Sequence, residues 1–146
     1  MKGKLALVTG STSGIGLGIA RALAEQGANI ILNGFGDADE IESIRIGLEK
    51  DFGVNASYQG ADLADPSQIA TMMTSIEGDG GADILVNNAG IQFVAPIDEF
   101  PAERWDAVLA INLSSVFHTL HHALPGMKRK NWGRIVNIAS AHGLVA

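Results

Sequence analysis

The chain has 146 residues, 47% of them hydrophobic and 18% charged, and 10 Lys and Arg against 16 Asp and Glu leave a formal charge of −6. That length suits one domain with a sizeable core, and the composition is too apolar for a disordered chain. The acidic balance argues against a groove tracking nucleic-acid phosphates, and the lack of cysteine excludes disulfides, thiolate metal sites and a cysteine nucleophile.

Leu5 to Thr9 reads as a strand rather than a signal peptide, and no later apolar run is long enough to span a bilayer. A Gly/Ser turn follows, then a helix from Gly14 to Gln26 stopped by Gly27. Asn29 to Asn33 is a second strand. Ile41, Ile44, Leu48 and Phe52 keep helical spacing across Ala38 to Phe52, and Gly53 closes that segment. Val54 to Gln59 is a weaker strand. Asp65-Pro66 combines an N-cap with proline at the first helical position and opens a helix through Ile76. Asp83 to Asn87 is a fourth strand. A long helical pattern from Pro101 to Lys130 is expected to bend near Pro125. Within it Trp105 and Val108 read as packing residues. Arg134 to Ala139 is a fifth strand. Strands apolar on both faces, separated by helices, require a parallel sheet covered on both sides, so the expected fold is α/β and doubly wound, in one domain over 1–146.

The turn after the first strand is Thr9-Gly10-Ser11-Thr12-Ser13-Gly14-Ile15-Gly16. Gly10 suits a tight turn, Gly14 the close approach of a pyrophosphate, and Gly16 the packing of helix on strand. The N–H groups opening the next helix suit phosphates. With a strand before and a helix after, dinucleotide binding is favoured over a plain strand-turn-helix, and a flavodoxin-like flavin site is a further alternative. Dinucleotide sites usually carry Asp or Glu after the second strand for a ribose 2′-hydroxyl, or Arg for a 2′-phosphate. Here the stretch is Asn33-Gly34-Phe35-Gly36, and Ser11, Thr12 and Ser13 add no cation, so NAD is the expected cofactor.

The spacing Gly-x-x-x-Gly-x-Gly, together with Asn87-Asn88-Ala89-Gly90 after the fourth strand, resembles the short-chain dehydrogenase/reductase family over the whole chain. The resemblance implies a Rossmann-like sheet with the segment Gly10, Ser11, Thr12, Ser13, Gly14, Ile15 and Gly16 at the cofactor. Phe35 and Leu63 join that set, and Asn88, Ala89 and Gly90 bring backbone to the adenosine ribose. Asp62 would accept from the adenine amino group; standing alone it would read as a turn residue.

Family catalysis, by the same resemblance, uses Asn112 on the long helix, Ser140 after the fifth strand, and a Tyr-x-x-x-Lys pair beyond it. The serine positions the reacting oxygen and the tyrosine exchanges the proton. The sequence stops at Ala146, before that pair, and its sole tyrosine, Tyr58, belongs to the third strand. The expectation is the cofactor-binding part of a longer dehydrogenase, inactive by itself, with an apolar fifth strand exposed at the sheet edge. Gln92 and His142, taken with Asn33-Gly34-Phe35-Gly36, resemble the branch of the family acting on 3-hydroxybutyrate. That implies a short hydroxy acid held by Gln92, Ser140 and His142 and interconverted with acetoacetate by hydride transfer. Gln92 as a plain loop residue and His142 as a structural donor stay open, as do a non-catalytic binding or assembly module and another small hydroxy or keto substrate. His118, His121 and His122 share a helical face, but with no Glu of a His-Glu-x-x-His motif and no fourth ligand they read as a packing or subunit face, not a metal site. The resemblance further implies a cytoplasmic homotetramer for the complete protein.

Overall fold

The computed structural model describes residues 1–143, His142 by its backbone alone. The strands β1 (Leu5–Val8), β2 (Asn29–Asn33), β3 (Ala56–Gln59), β4 (Ile84–Asn87) and β5 (Arg134–Asn137) pair in parallel in the order β3-β2-β1-β4-β5. The chain therefore walks outward from β1 to β3, returns across the sheet, and lays β4 on the other side of β1. A crevice opens at the carboxyl ends of β1 and β4, where the strand order reverses. This is the doubly wound α/β architecture read from the sequence.

Both sheet faces are dry, as parallel pairing demands. Ala6, Val8, Ile30, Leu32, Ile84 and Val86 point to one side, against Ala20, Ala24 and Leu48 of α1 (Gly14–Glu25) and α2 (Ala38–Phe52). Leu7, Ile31 and Leu85 point to the other, against Ile69, Met72, Met73 and Ile76 of α3 (Pro66–Gly78) and Ala123 and Met127 of α5 (Ser115–Arg129). β5 contrasts with these strands: it is exposed along its length, with Ile135, Val136 and Ile138 open to solvent.

Several boundaries are tighter than the periodicity suggests. β1 ends at Val8, β3 starts at Ala56, and β5 ends at Asn137. Pro125, where a bend is expected, stands inside α5 and does not end it. The regular geometry of the long helical stretch breaks earlier, in a five-residue π-helical turn, Ala110–Ser114, between α4 (Ala102–Leu109) and α5. Trp105 packs edge-on against Phe100, centroids 6.3 Å apart, yet stays 50% exposed, so it is less of a core residue than its spacing implies.

At the amino ends of the strands Asp83 acts as a clasp. It is 8% exposed, and its carboxylate accepts from the Leu5 N–H at 3.0 Å and from Lys130 Nζ at 2.8 Å, with Lys4 Nζ at 3.8 Å. Burial alone would raise its pKa. The bonds from Lys130 and Leu5 and the charges of both lysines outweigh that, so the carboxyl sits below its ordinary value of 3.8.

Candidate functional site

The starts of the first three helices differ. Asp37 caps α2 by accepting from the Asp39 and Glu40 N–H groups at 3.0 and 3.1 Å. Asp65 caps α3 through Ser67 and Gln68, with Pro66 in the first turn. The Ser67 hydroxyl, donating at 2.7 Å, is the main reason the Asp65 carboxyl lies below its usual range. α1 begins after Ser13 with no side-chain cap and no acidic residue in its first turn. Its leading N–H groups and the positive end of its dipole therefore remain for something else.

The glycines explain how close that something can come. Gly14 has φ +55°, and a Cβ built there meets nothing within 4 Å, so the position is open space held by a left-handed backbone. Gly16 is the reverse: a Cβ would run into the Gly10 carbonyl oxygen and stand 2.5 Å from Asn88 Nδ2. The turn thus has room outside and none inside. Ser11 is fully buried and structural, its hydroxyl donating to the Val8 carbonyl at 2.7 Å and accepting from the Asn33 N–H at 3.1 Å. Ile15 is 71% exposed at the mouth of the helix.

Asn88 and Thr9 stitch the second motif to this loop. Asn88 Nδ2 donates to the carbonyls of Thr9 and Gly10, both at 3.0 Å. Thr9 Oγ1 accepts from the Asn88 and Ala89 N–H groups, again both at 3.0 Å. One step deeper, Thr119 Oγ1 donates to Asn87 Oδ1 at 2.8 Å and Asn87 Nδ2 donates to Asn137 Oδ1 at 2.9 Å, so β4 and β5 end in fixed register. Thr9 and Thr119, both buried, have no role in the sequence reading. The available signal for Thr9 was a polar residue closing an apolar strand.

A cleft of about 280 Å³ lies over this corner. Of the predicted residues it is lined by Gly10, Thr12, Ser13, Phe35, Asp62, Leu63, Asn88, Ala89 and Gly90, and it also takes in Asn33, Gly34, Ala61, Ile91 and Ile111. Asp62 contributes the one charge among those residues, and no lysine or arginine is among them. Asn33 is 1% exposed; its Nδ2 donates to the Gln59 and Ala61 carbonyls at 2.9 and 3.0 Å, which fixes the segment carrying Asp62, while its Oδ1 has no partner.

Asn112 sits in the π-helical turn and spends both ends of its amide on one backbone residue. Its Oδ1 accepts from the Ile91 N–H at 2.8 Å and its Nδ2 donates to the Ile91 carbonyl at 2.9 Å. It therefore holds the segment that leaves Gly90, and it is not among the residues lining the cleft. Single π-helical turns are often found where such a side chain must be delivered. Gln92 and Ser140 are exposed and lie outside the cleft lining. The side chain of His142 lies outside the described residues.

A glycine-cradled, uncapped helix start beside a strand-order switch is the architecture of a nucleotide-binding, Rossmann-like domain. Residues 4–146 match the short chain dehydrogenase family, and the chain belongs to that family. Among curated relatives, it is 63% identical to the D-beta-hydroxybutyrate dehydrogenase of Cupriavidus necator and 58% identical to that of Rhizobium meliloti, over 100% and 98% of the chain. It spans about half the length of both, 56% in each case. Among solved structures, L-sorbose reductase from Gluconobacter frateurii complexed with NADPH and L-sorbose is 34% identical with a TM-score of 0.93, over 98% of this chain and 54% of that one.

Proposed function

We propose that these residues form the cofactor-binding part of an NAD-dependent oxidoreductase that interconverts 3-hydroxybutyrate and acetoacetate. The observation that carries the proposal is the uncapped start of α1 facing open space at Gly14, in a chain 63% identical to a D-beta-hydroxybutyrate dehydrogenase. The residues fit a dinucleotide. The first-turn N–H groups of α1 suit the diphosphate, Asp62 suits the adenine amino group, and the backbone at Asn88, Ala89 and Gly90 suits the ribose. Support for NAD over NADP is the cleft itself, where the carboxylate of Asp62 opposes an extra phosphate and no lysine or arginine is among the lining residues.

The dinucleotide, when bound, accepts or supplies the hydride. Ser140 then orients the reacting oxygen, and Gln92 and His142 hold the carboxylate by hydrogen bonds, stronger from a protonated imidazole. The 146 residues by themselves carry out no turnover: Tyr58 is their sole tyrosine, and its hydroxyl donates to the Gly34 carbonyl at 2.7 Å, on the adenosine side of the cleft. The complete protein is read as a homo-oligomer, supported by the exposed row Trp105, Leu109, Leu113 and Phe117 along α4 and α5. A cytoplasmic setting accords with a cysteine-free chain and with the absence, among the described residues, of a helix long and apolar enough to cross a membrane.

The test is a titration and an assay. The protein as its gene encodes it is expected to bind NADH more tightly than NADPH and to reduce NAD with D-3-hydroxybutyrate, while a purified 146-residue chain shows no turnover. Equal or tighter NADPH binding would overturn the cofactor assignment, and activity on other hydroxy acids alone would overturn the substrate.

A further inference from the structure

The corner that follows β2 is held by side chains from both neighbouring strands. From the β3 side the Tyr58 hydroxyl donates to the Gly34 carbonyl at 2.7 Å. From the glycine loop after β1 the Thr12 hydroxyl donates to the next carbonyl, that of Phe35, at 2.7 Å. Gly34 itself has φ +149°, and a Cβ there would stand 2.7 Å from Thr12 Oγ1, so the corner is pressed onto the glycine loop with no space for a side chain. All three residues at this contact, Thr12, Gly34 and Phe35, line the cleft; Tyr58 does not and acts from behind.

A trans peptide is rigid, so anchoring two consecutive carbonyls fixes the two peptide planes they belong to. Once both planes are fixed, the N–H groups of the corner cannot swing round to form the concave donor array that binds a phosphate. A glycine at 34 would otherwise permit that swing at little cost. Resting on the NAD reading above, we infer that Tyr58 is a positioning residue for cofactor choice: its hydroxyl, through the Gly34 carbonyl, holds the corner in a form that suits a ribose with a free 2′-hydroxyl and resists a 2′-phosphate. The cleft contributes the lack of a cation, and Tyr58 contributes the lack of an adaptable backbone.

Tyr58 is 36% exposed, and Tyr58→Phe keeps its ring and removes the one hydroxyl at issue. NADH and NADPH are titrated into the wild-type and variant proteins, as encoded by the complete gene, at one ionic strength, with melting temperature as the control for folding. Loss of one neutral hydrogen bond predicts an NADH Kd about five- to tenfold higher and an NADPH Kd changed by less than about twofold, so that the preference narrows. Thr12→Val, which frees the Phe35 carbonyl, is expected to narrow the preference in the same direction and decides the matter if Tyr58→Phe melts early. Both Kd values rising together, or neither changing, would overturn the role of Tyr58 while leaving the NAD assignment standing. A wild-type protein with no preference would overturn both.

Discussion

At the amino ends of the strands Asp83 gathers the Leu5 N–H, Lys130 and Lys4 into one clasp, and Lys130 also donates to the Gly80 and Gly81 carbonyls at 3.2 and 2.9 Å. At the carboxyl ends, α1 starts without a side-chain cap and Asn33 Oδ1 is buried without a partner, although α2 and α3 are capped by Asp37 and Asp65. The same sheet thus has one end saturated from within and one end left short of partners. Buried or partly buried polar groups are ordinarily paired, by protein groups, water or a ligand, and the carboxyl end is where such partners have room.

The largest effect is expected where the open end is filled artificially. Gly14→Val places a β-branched side chain at φ +55° and in the space before α1; backbone strain of about 1–3 kcal/mol and a loss of NADH affinity of at least about 100-fold are expected, read by melting and by calorimetry. Unchanged NADH uptake by a folded variant would break the contrast between the two ends.

Asp83→Ala attacks the saturated end. It leaves the Leu5 N–H without its partner and takes the carboxylate from Lys130, which keeps the Gly80 and Gly81 carbonyls, for an expected cost of about 1–3 kcal/mol in urea unfolding and little change in NADH affinity. The pH dependence follows from the sign of the shift. Because the folded carboxyl titrates below its ordinary 3.8, its contribution is present above that pH and is lost as acid protonates it, at pH below about 4. The variant should therefore show a shallower fall in stability on acidification through that window. Smallest of the three is Ser13→Asp, which gives α1 the kind of cap its neighbours have. A gain of about 0.5–1 kcal/mol in stability is expected, with NADH binding weaker by about tenfold because the carboxylate competes for the same N–H groups. Tighter binding would reverse the reading of that helix start.

The fold was legible because its signals are local. Apolar strands such as Leu5-Ala6-Leu7-Val8 announce a sheet buried on both faces, and Asp65-Pro66 and Gly53 mark helix ends by their own backbone chemistry. The glycine turn was legible for the same reason. What escaped were polar side chains whose partners are distant backbone groups: Thr9 with Asn88 and Ala89, Asn33 with Gln59 and Ala61, Tyr58 with Gly34. Nothing in a threonine or asparagine says which backbone N–H or carbonyl some 25 or 80 positions away it will meet. The break in the long helix escaped likewise. Proline gives a local reason for a bend at 125, whereas the irregular turn at 110–114 coincides with the Asn112–Ile91 exchange, a contact that forms only after the chain has folded back.

The tight seat of Gly34 against Thr12 also constrains how this lineage could drift. An arginine arriving at position 34 would collide with the threonine hydroxyl and demand a backbone shape that L-residues avoid, so that single step is closed. A change at Thr12 would have to come first, and that change alone loosens the corner. Substitutions here are ordered by sterics, and a laboratory selection for a phosphorylated dinucleotide should recover position 12 before position 34.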